Sequence, residues 1–333
     1  RSTTSADVAV VLPMIYPLAV RTLILAGGFA TRLWPLTEHR AKPLLPLVGK
    51  PILTHIVEKL PKDFHVTVST NAAFEEHFDE WQKNLGRAVT VYIESALHDD
   101  AKLGALRAVG DWIERENVKE DVLLLTGDNY LGFDMADFLA SYHPGTPLVA
   151  AYDIGDREHA KKFGTVVLNA DGKTVDAFEE KPKEPRTTFI STGCYVLPAA
   201  LLPVLVEYSM THADNVGGIF EEFIRRAITV HAFTFKEPWF DIGSFEAYLQ
   251  ATMLLVGDKE VHGEKSRFEE SERVGSVVLG SGSDVVRSKL TNTVVFDNCF
   301  IEDCILENCI IDNGCSLRGV ELTGKMLRAD TTL

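Results

Sequence analysis

The chain has 333 residues, 46% hydrophobic and 24% charged, which suits a globular protein with one large α/β domain and a smaller one. A formal net charge of -15 argues against a nucleic-acid backbone or an anionic membrane as partner, because an acidic surface repels both. Five cysteines, none at C-x-x-C spacing, fit neither a disulfide scaffold nor a zinc site, so a reducing cytoplasm is the expected location.

Residues 1–20 read as an N-terminal extension. RSTTSAD is polar, and the apolar run Val8–Val20 is broken by Pro13 and Pro17 and is too short to span a bilayer. Nor does it have the basic start of a signal peptide. Leu23–Ile24–Leu25 then predicts a buried strand, and Gly27–Gly28 break it. The loop that follows carries Thr31, Arg32, Lys42 and Lys50. Paired glycines let backbone N–H groups approach a ligand, and cations on the same segment attract a polyphosphate. The spacing fits neither G-x-x-x-x-G-K-[ST] nor G-x-G-x-x-G, and taken alone such a pair is more often an ordinary strand-to-loop turn.

Strands are expected over Val66–Val68, Val89–Ile93, Val122–Leu125 and Leu148–Tyr152, with helices over Ile52–Leu60, Phe74–Leu85 and Lys102–Glu116. This alternation predicts an α/β, Rossmann-like, mostly parallel sheet over residues 21–257, with its ligand site at the carboxyl ends of the strands. Asp128 closes the run VLLLTGD and so falls at that edge, and Asp241 follows an apolar segment in PWFDIGS. Either could also mark a turn. The run FEEKPKEPR, Phe178–Arg186, is charged and by itself suits a solvated loop.

Residues 258–274 are charged, lack an apolar face and read as a linker. From 275 to 333 an aliphatic residue recurs with a small one four positions later: Leu279/Ser283, Val295/Cys299, Ile305/Cys309 and Ile311/Cys315. That spacing matches the hexapeptide repeat of a short left-handed β-helix, with β-hairpins as the alternative. Cys299, Cys304, Cys309 and Cys315 are read there as small buried residues rather than metal ligands.

The ordered series GG-x-x-TRL-x-PLT, KPLLP, GKP, then G-D, E-K-P, STG and W-x-D-x-G resembles the sugar-1-phosphate nucleotidylyltransferases. The resemblance implies a GT-A-like nucleotidyltransferase that joins an NTP to a hexose-1-phosphate, glucose- or mannose-1-phosphate foremost, releasing pyrophosphate, with Mg²⁺ as cofactor. It implies that Arg32 and Lys42 are catalytic, that Leu25, Ala26, Gly27, Gly28 and Thr31 bind nucleotide, and that Asp128 and Asp241 hold the metal. Glu180, Lys181 and Gly193 would take the sugar phosphate. Glu94 and Gly104, in VYIESALHDDAKLGALRA, would face the base, but a carboxylate there suits guanine, uracil or thymine alike. Ala30 stands where many members carry a third glycine. A homo-oligomer is expected, with the repeat making its contacts or capping the first domain. A non-catalytic regulatory subunit of the same fold is the rival reading, and an acyltransferase is suggested by the repeat alone.

Overall fold

The computed structural model describes residues 20–28, 31–94 and 104–333. The proposed N-terminal extension and Ala30 therefore lie outside the described residues, apart from Val20, which opens the first strand.

The first domain runs β1 (Val20–Leu25), α1 (Ile52–Lys59), β2 (His65–Asn71), α2 (Glu75–Asn84), β3 (Thr90–Glu94), α3 (Ala105–Arg115) and β4 (Asp121–Thr126). It continues with β5 (Asn129–Leu131), β6 (Leu148–Asp153), β7 (Gly164–Leu168), β8 (Val175–Glu180) and β9 (Phe189–Leu197). Helices α4 (Leu202–Ser209) and α5 (Gly218–Arg225), strands β10 (His231–Phe235) and β11 (Trp239–Asp241), and α6 (Phe245–Val256) complete it. The expected strands and helices are present, within a few residues at each end.

The sheet order is β8-β7-β9-β4-β1-β2-β3, with β6 joining β9 to β10. Around the glycine pair it is parallel, as β1 pairs with β2 and β4 in the same direction and β2 with β3. The other half is built on β9, which runs antiparallel to β4, β6 and β7. Helices cover both faces, so successive residues of the central strands enter opposite cores. Ile24 and Leu123 pack with Phe78 and Trp81, whereas Leu23 and Leu124 pack with Trp112 and Phe220. That two-sided burial explains why these strands read as unbroken apolar runs.

After α6 the chain winds into a parallel β-helix. Stacked partners such as Ser283 and Cys299, Ser288 and Cys304, or Thr293 and Cys309 are 16 residues apart, one coil. Each coil has three short sides, as in 284–286, 289–291 and 293–295, with parallel partners one coil on. Corners fall at positive φ every five or six residues, through Gly282, Arg287, Asn292, Asn298, Asp303, Asn308 and Gly314. Glycine, asparagine and aspartate tolerate that region best; Arg287 departs from the pattern, as do Lys265 and Glu270 in the first coil. The cysteines are the small inward residues expected, all buried, with backbone N–H groups of the next coil capping Ser283, Ser288 and Thr293 hydroxyls.

Two expectations are corrected here. Residues 258–274 are not a linker throughout: Glu260–His262 and Arg267–Glu269 pair in parallel with the following coil. Each of these sides has a single apolar residue, Val261 between Glu260 and His262 or Phe268 between Arg267 and Glu269, so the pattern hid among the charges. Ile305 is not an inward residue but 46% exposed, while Leu306 is fully buried. On this side of the coil the central residue points in, as Leu290 does one coil earlier, and Ile305 is the first of Ile305–Glu307.

The β-helix packs sideways on the first domain. Val261, Val278, Val294, Ile310 and Met326, in register one per coil, form an outward apolar stripe. It lies against Leu33, Leu36, Leu45, Leu47 and Tyr248. Arg40 pairs with Asp312 at 3.3 Å and Arg328 with Glu38 at 2.9 Å across the same seam. The stretch from Leu33 to Leu47, which includes Lys42, is thus held from two sides.

Candidate active site

Strand β1 delivers Leu25 and Ala26 to the carboxyl edge of the sheet. Ala26 N–H donates to Ser69 O at 2.7 Å, and Gly27 O accepts from Asn71 Nδ2 at 2.7 Å. Parallel register sets Glu94, the last residue of β3, beside Asn71, and its carboxylate accepts from the Ser69 hydroxyl. A Cβ on Gly27 would come within 2.9 Å of Glu94 Oε1, so the bare backbone lets the acid lie against the loop. Burial raises the Glu94 pKa, and the Ser69 hydrogen bond only partly offsets this. Residues 95–103, the rest of the expected base-facing segment, lie outside the described residues. Gly104 opens α3 at φ +87°, where a Cβ would meet the Ala213 carbonyl carbon at 2.6 Å. Leu106 and Arg107 N–H donate to Ala213 O at 2.8 and 3.0 Å. What the geometry gives Gly104 is a close packing role at the helix start.

Beside the glycine pair, Ala26, Gly28, Arg32, Lys42, Asp128 and Gly243 line a small cleft. Thr31 and Arg32 form an exposed single turn at its mouth. Lys42, by contrast, is 94% buried, and its Nζ donates to Asp128 Oδ2 at 2.7 Å and Asp241 Oδ1 at 3.2 Å. Topology explains the meeting. Strand β4 ends at Thr126, Asp128 follows in the turn, and β11 runs antiparallel to β5 with Asp241 opposite Asn129. Burial opposes the ammonium charge, but the charges and hydrogen bonds of the two aspartates together outweigh it and raise the Lys42 pKa. Lys42 therefore stays protonated. Lys50, the other loop cation, lies elsewhere, bonded to Glu58 and lining a separate cavity beside Trp81.

Two carboxylates converge on one point, and their side chains are 38% and 31% exposed, leaving room for water and phosphate oxygens. Such a pair suits a hard cation that keeps part of its hydration shell. Among the described residues no group of three or more His, Cys, Asp and Glu side chains gathers as a metal cage.

A larger cleft continues from Asp128 and Asp241 past Thr126, Asn129, Glu180, Lys181, Gly193, Asp214 and Gly217. Glu180 ends β8 opposite Gly164 of β7, and a Cβ on Gly164 or Gly217 would approach its Oε2 to 3.0 or 2.9 Å. Burial raises the Glu180 pKa; Lys181, whose Nζ lies 3.6 Å away, works in the opposite sense. Gly193 sits in a bulge of β9 at φ +76°, where any Cβ would overlap the Thr126 hydroxyl. Asn129, adjacent to Asp128, ties this wall together by donating to Thr126 Oγ1 at 2.8 Å and Thr192 O at 2.9 Å.

Arg32 and Asp128 line both clefts, which join there, with Lys42 in the small one and Asp241, Glu180, Lys181 and Gly193 in the larger, while Glu94 lies against Gly27 beside them. Sequence reasoning missed Asn129, Lys162, Gly164, Asp214 and Gly217, which also line the larger cleft. Asn129 follows Asp128 directly and could have been inferred. The others depend on the pairing of β7 with β8 and on the turn before α5, which no local pattern announces.

Residues 21–257 match the nucleotidyl transferase family. The chain belongs to that family. It is 28% identical over 244 residues to a Sulfolobus acidocaldarius protein provisionally named a mannose-1-phosphate guanyltransferase, covering 71% of this chain and 63% of that one. It is 29% identical over 300 residues to a glucose-1-phosphate adenylyltransferase of Thermomicrobium roseum, covering 82% and 69%. The chain thus spans less than two thirds of the Sulfolobus protein. A crystal structure from Bacillus anthracis, provisionally described as a glucose-1-phosphate thymidylyltransferase in complex with a sucrose, superposes with a TM-score of 0.60. At 23% identity, over 71% of this chain and 94% of that one, it shows a shared fold. No helix of the described residues is long and apolar enough to cross a membrane.

Proposed function

We propose that this chain transfers a nucleotidyl group from an NTP to a hexose-1-phosphate, giving an NDP-sugar and pyrophosphate. The observation that carries the reading is Lys42, buried between Asp128 and Asp241 where the two clefts meet. A sugar-phosphate oxygen forms the new bond to the α-phosphorus, and the bond to the β-phosphate oxygen breaks, its electron pair leaving with pyrophosphate. The nucleophile is already an anion, so the barrier is mainly electrostatic, and the site needs cations more than a general base.

Arg32, exposed at the mouth of the small cleft, binds the triphosphate and neutralises the departing pyrophosphate. Lys42 adds a fixed positive charge and orients the two aspartates. Asp128 and Asp241 would hold Mg²⁺, which when bound supplies charge neutralisation and alignment of the phosphates. Leu25, Ala26, Gly27, Gly28 and Thr31 present backbone to the nucleotide, with Glu94 toward the base. Glu180 accepts from sugar hydroxyls, Gly193 offers backbone, and Lys181 attracts the sugar phosphate. The names of the relatives, which span guanylyl and adenylyl transfer, support the reaction class and leave the base open. A left-handed sense for the coils, a cytoplasmic location and a homo-oligomer belong to the same proposal. Retention of Arg32, Lys42 and both aspartates speaks against a non-catalytic regulatory subunit.

The test is pyrophosphate release with Mg²⁺ over a grid of common NTPs and hexose-1-phosphates, run beside Asp128→Asn. At least one strong combination is expected, reduced about 10²–10⁴-fold in the variant without loss of fold. A blank grid for a protein that still binds nucleotide would favour the regulatory reading.

A further inference from the structure

The sugar-phosphate end of the groove raises a problem of charge. A sugar phosphate near neutrality carries up to two negative charges and must enter a cleft lined by Asp128, Glu180, Asp214 and Asp241. Lys42 is committed to Asp128 and Asp241 at 2.7 and 3.2 Å. Lys181, the cation its motif assigns to the phosphate, lies 3.6 Å from Glu180 and is partly neutralised by it. Arg32 lines this cleft too, at its junction with the small cleft of Gly28 and Lys42, where the triphosphate lies in the proposed function.

One further cation lines the groove. Lys162 precedes Phe163 and Gly164, and Gly164 pairs with Glu180 across the β7–β8 ladder. Lys181 N–H donates to Phe163 O at 3.2 Å, so the ladder carries Lys162 and Lys181 to the same end of the cleft. Among the described residues Lys162 has no ion-pair partner, whereas its neighbour Lys161 is tied to Glu158 at 2.6 Å. A cation left unpaired in a protein of net charge -15, on the wall of an acid-lined cleft, is the arrangement an anionic ligand needs.

We propose that Lys162 is a substrate-binding residue that, together with Lys181, receives the phosphate of the sugar-1-phosphate. The proposal rests on the sugar-phosphate reading of this cleft. It shifts the stronger part of that role from the motif lysine, which shares its charge with Glu180, to one that no motif marks.

The experiment compares Lys162→Met, Lys162→Arg and Lys161→Met with the parent, using the hexose-1-phosphate and NTP that turn over. Lys162→Met should raise KM for the sugar phosphate about tenfold and flatten its dependence on salt, with KM for the NTP within about twofold. Arginine should restore most of the loss, and Lys161→Met should change neither constant. An unchanged sugar-phosphate KM in Lys162→Met, or an equal rise in both constants with a lower Tm, would overturn the assignment. If the parent turns over no sugar phosphate, the functional reading fails, and calorimetric titration with glucose-1-phosphate and mannose-1-phosphate still judges Lys162. Weaker binding by Lys162→Met supports the assignment there, and equal or absent binding refutes it.

Discussion

Replacing Lys42 by methionine removes the cation between Asp128 and Asp241 and keeps its apolar stem. At about 3 Å and an effective dielectric near 20, each ion pair has a gross attraction of about 5 kcal/mol. Burial of the ammonium offsets much of this. The carboxylates are about one third exposed, so water re-solvates them once the lysine is gone. The net cost works out at about 1–3 kcal/mol, or a Tm lower by about 1–4 °C for a chain of this size. Because the folded-state pKa of Lys42 is raised above its ordinary value of 10.5, its contribution is complete below that pH. It is lost as pH rises through the folded value. Thermal unfolding by circular dichroism should show a constant gap between parent and variant from pH 7 to about 10, narrowing above. Added Mg²⁺ should raise the Tm of the variant more than that of the parent, since the aspartates are freed for it. Equal Tm values at pH 7, or a gap that widens with pH, would refute the reasoning.

The other predictions concern the groove walls and the coil. Gly193→Ala combines φ +76° with overlap of the Thr126 hydroxyl and should cost about 2–4 kcal/mol in urea unfolding. Adding Thr126→Ala should recover the steric part alone, and a single variant as stable as the parent would contradict the bulge geometry. Glu94 has a folded pKa raised by burial, so its ionisation penalises the fold above the unfolded value of 4.5. The penalty grows with pH through the window up to the folded value and is constant beyond it. Glu94→Gln should therefore raise Tm at pH 7, with the gain fading as pH falls below about 4.5; no gain at neutral pH would count against a buried carboxylate. Leu306→Ala should cost about 2–5 kcal/mol and Ile305→Ala under about 1, because only the first is buried. A reversed order would place the coil in another register.

Legibility in the sequence followed how local the cause was. The central strands announced themselves because both their faces are buried, and Asp128 because it directly follows such a strand. The partnership of Lys42 with both aspartates was not readable, since it depends on β11 folding back on β5, more than a hundred residues later in the chain. Gly104 and Gly193 stood out as glycines, but the close contacts that require them, Ala213 and Thr126, belong to distant segments. Lys162 carried no signal at all until β7 and β8 were seen to pair. In the repeat, the aliphatic-to-small spacing pointed to coils, yet it fitted Ile305 as well as Leu306, because only the three-residue sides decide which of two adjacent aliphatics faces in.

The apolar stripe on the side of the β-helix restricts how the chain can change length. Val261, Val278, Val294, Ile310 and Met326 stay in line because each coil returns to the same side. One extra residue is absorbed by a bulge at the corner between Val274 and Val277, but an insertion inside a three-residue side would turn every later rung and swing the stripe away from Leu33, Leu45 and Tyr248. Gain or loss of a whole coil preserves the alignment and slides it by one strand spacing, about 4.8 Å. Outside such bulged corners, viable lengths of this region are therefore quantised in coils, and indels that ignore the quantum loosen the stretch that holds Lys42 in place.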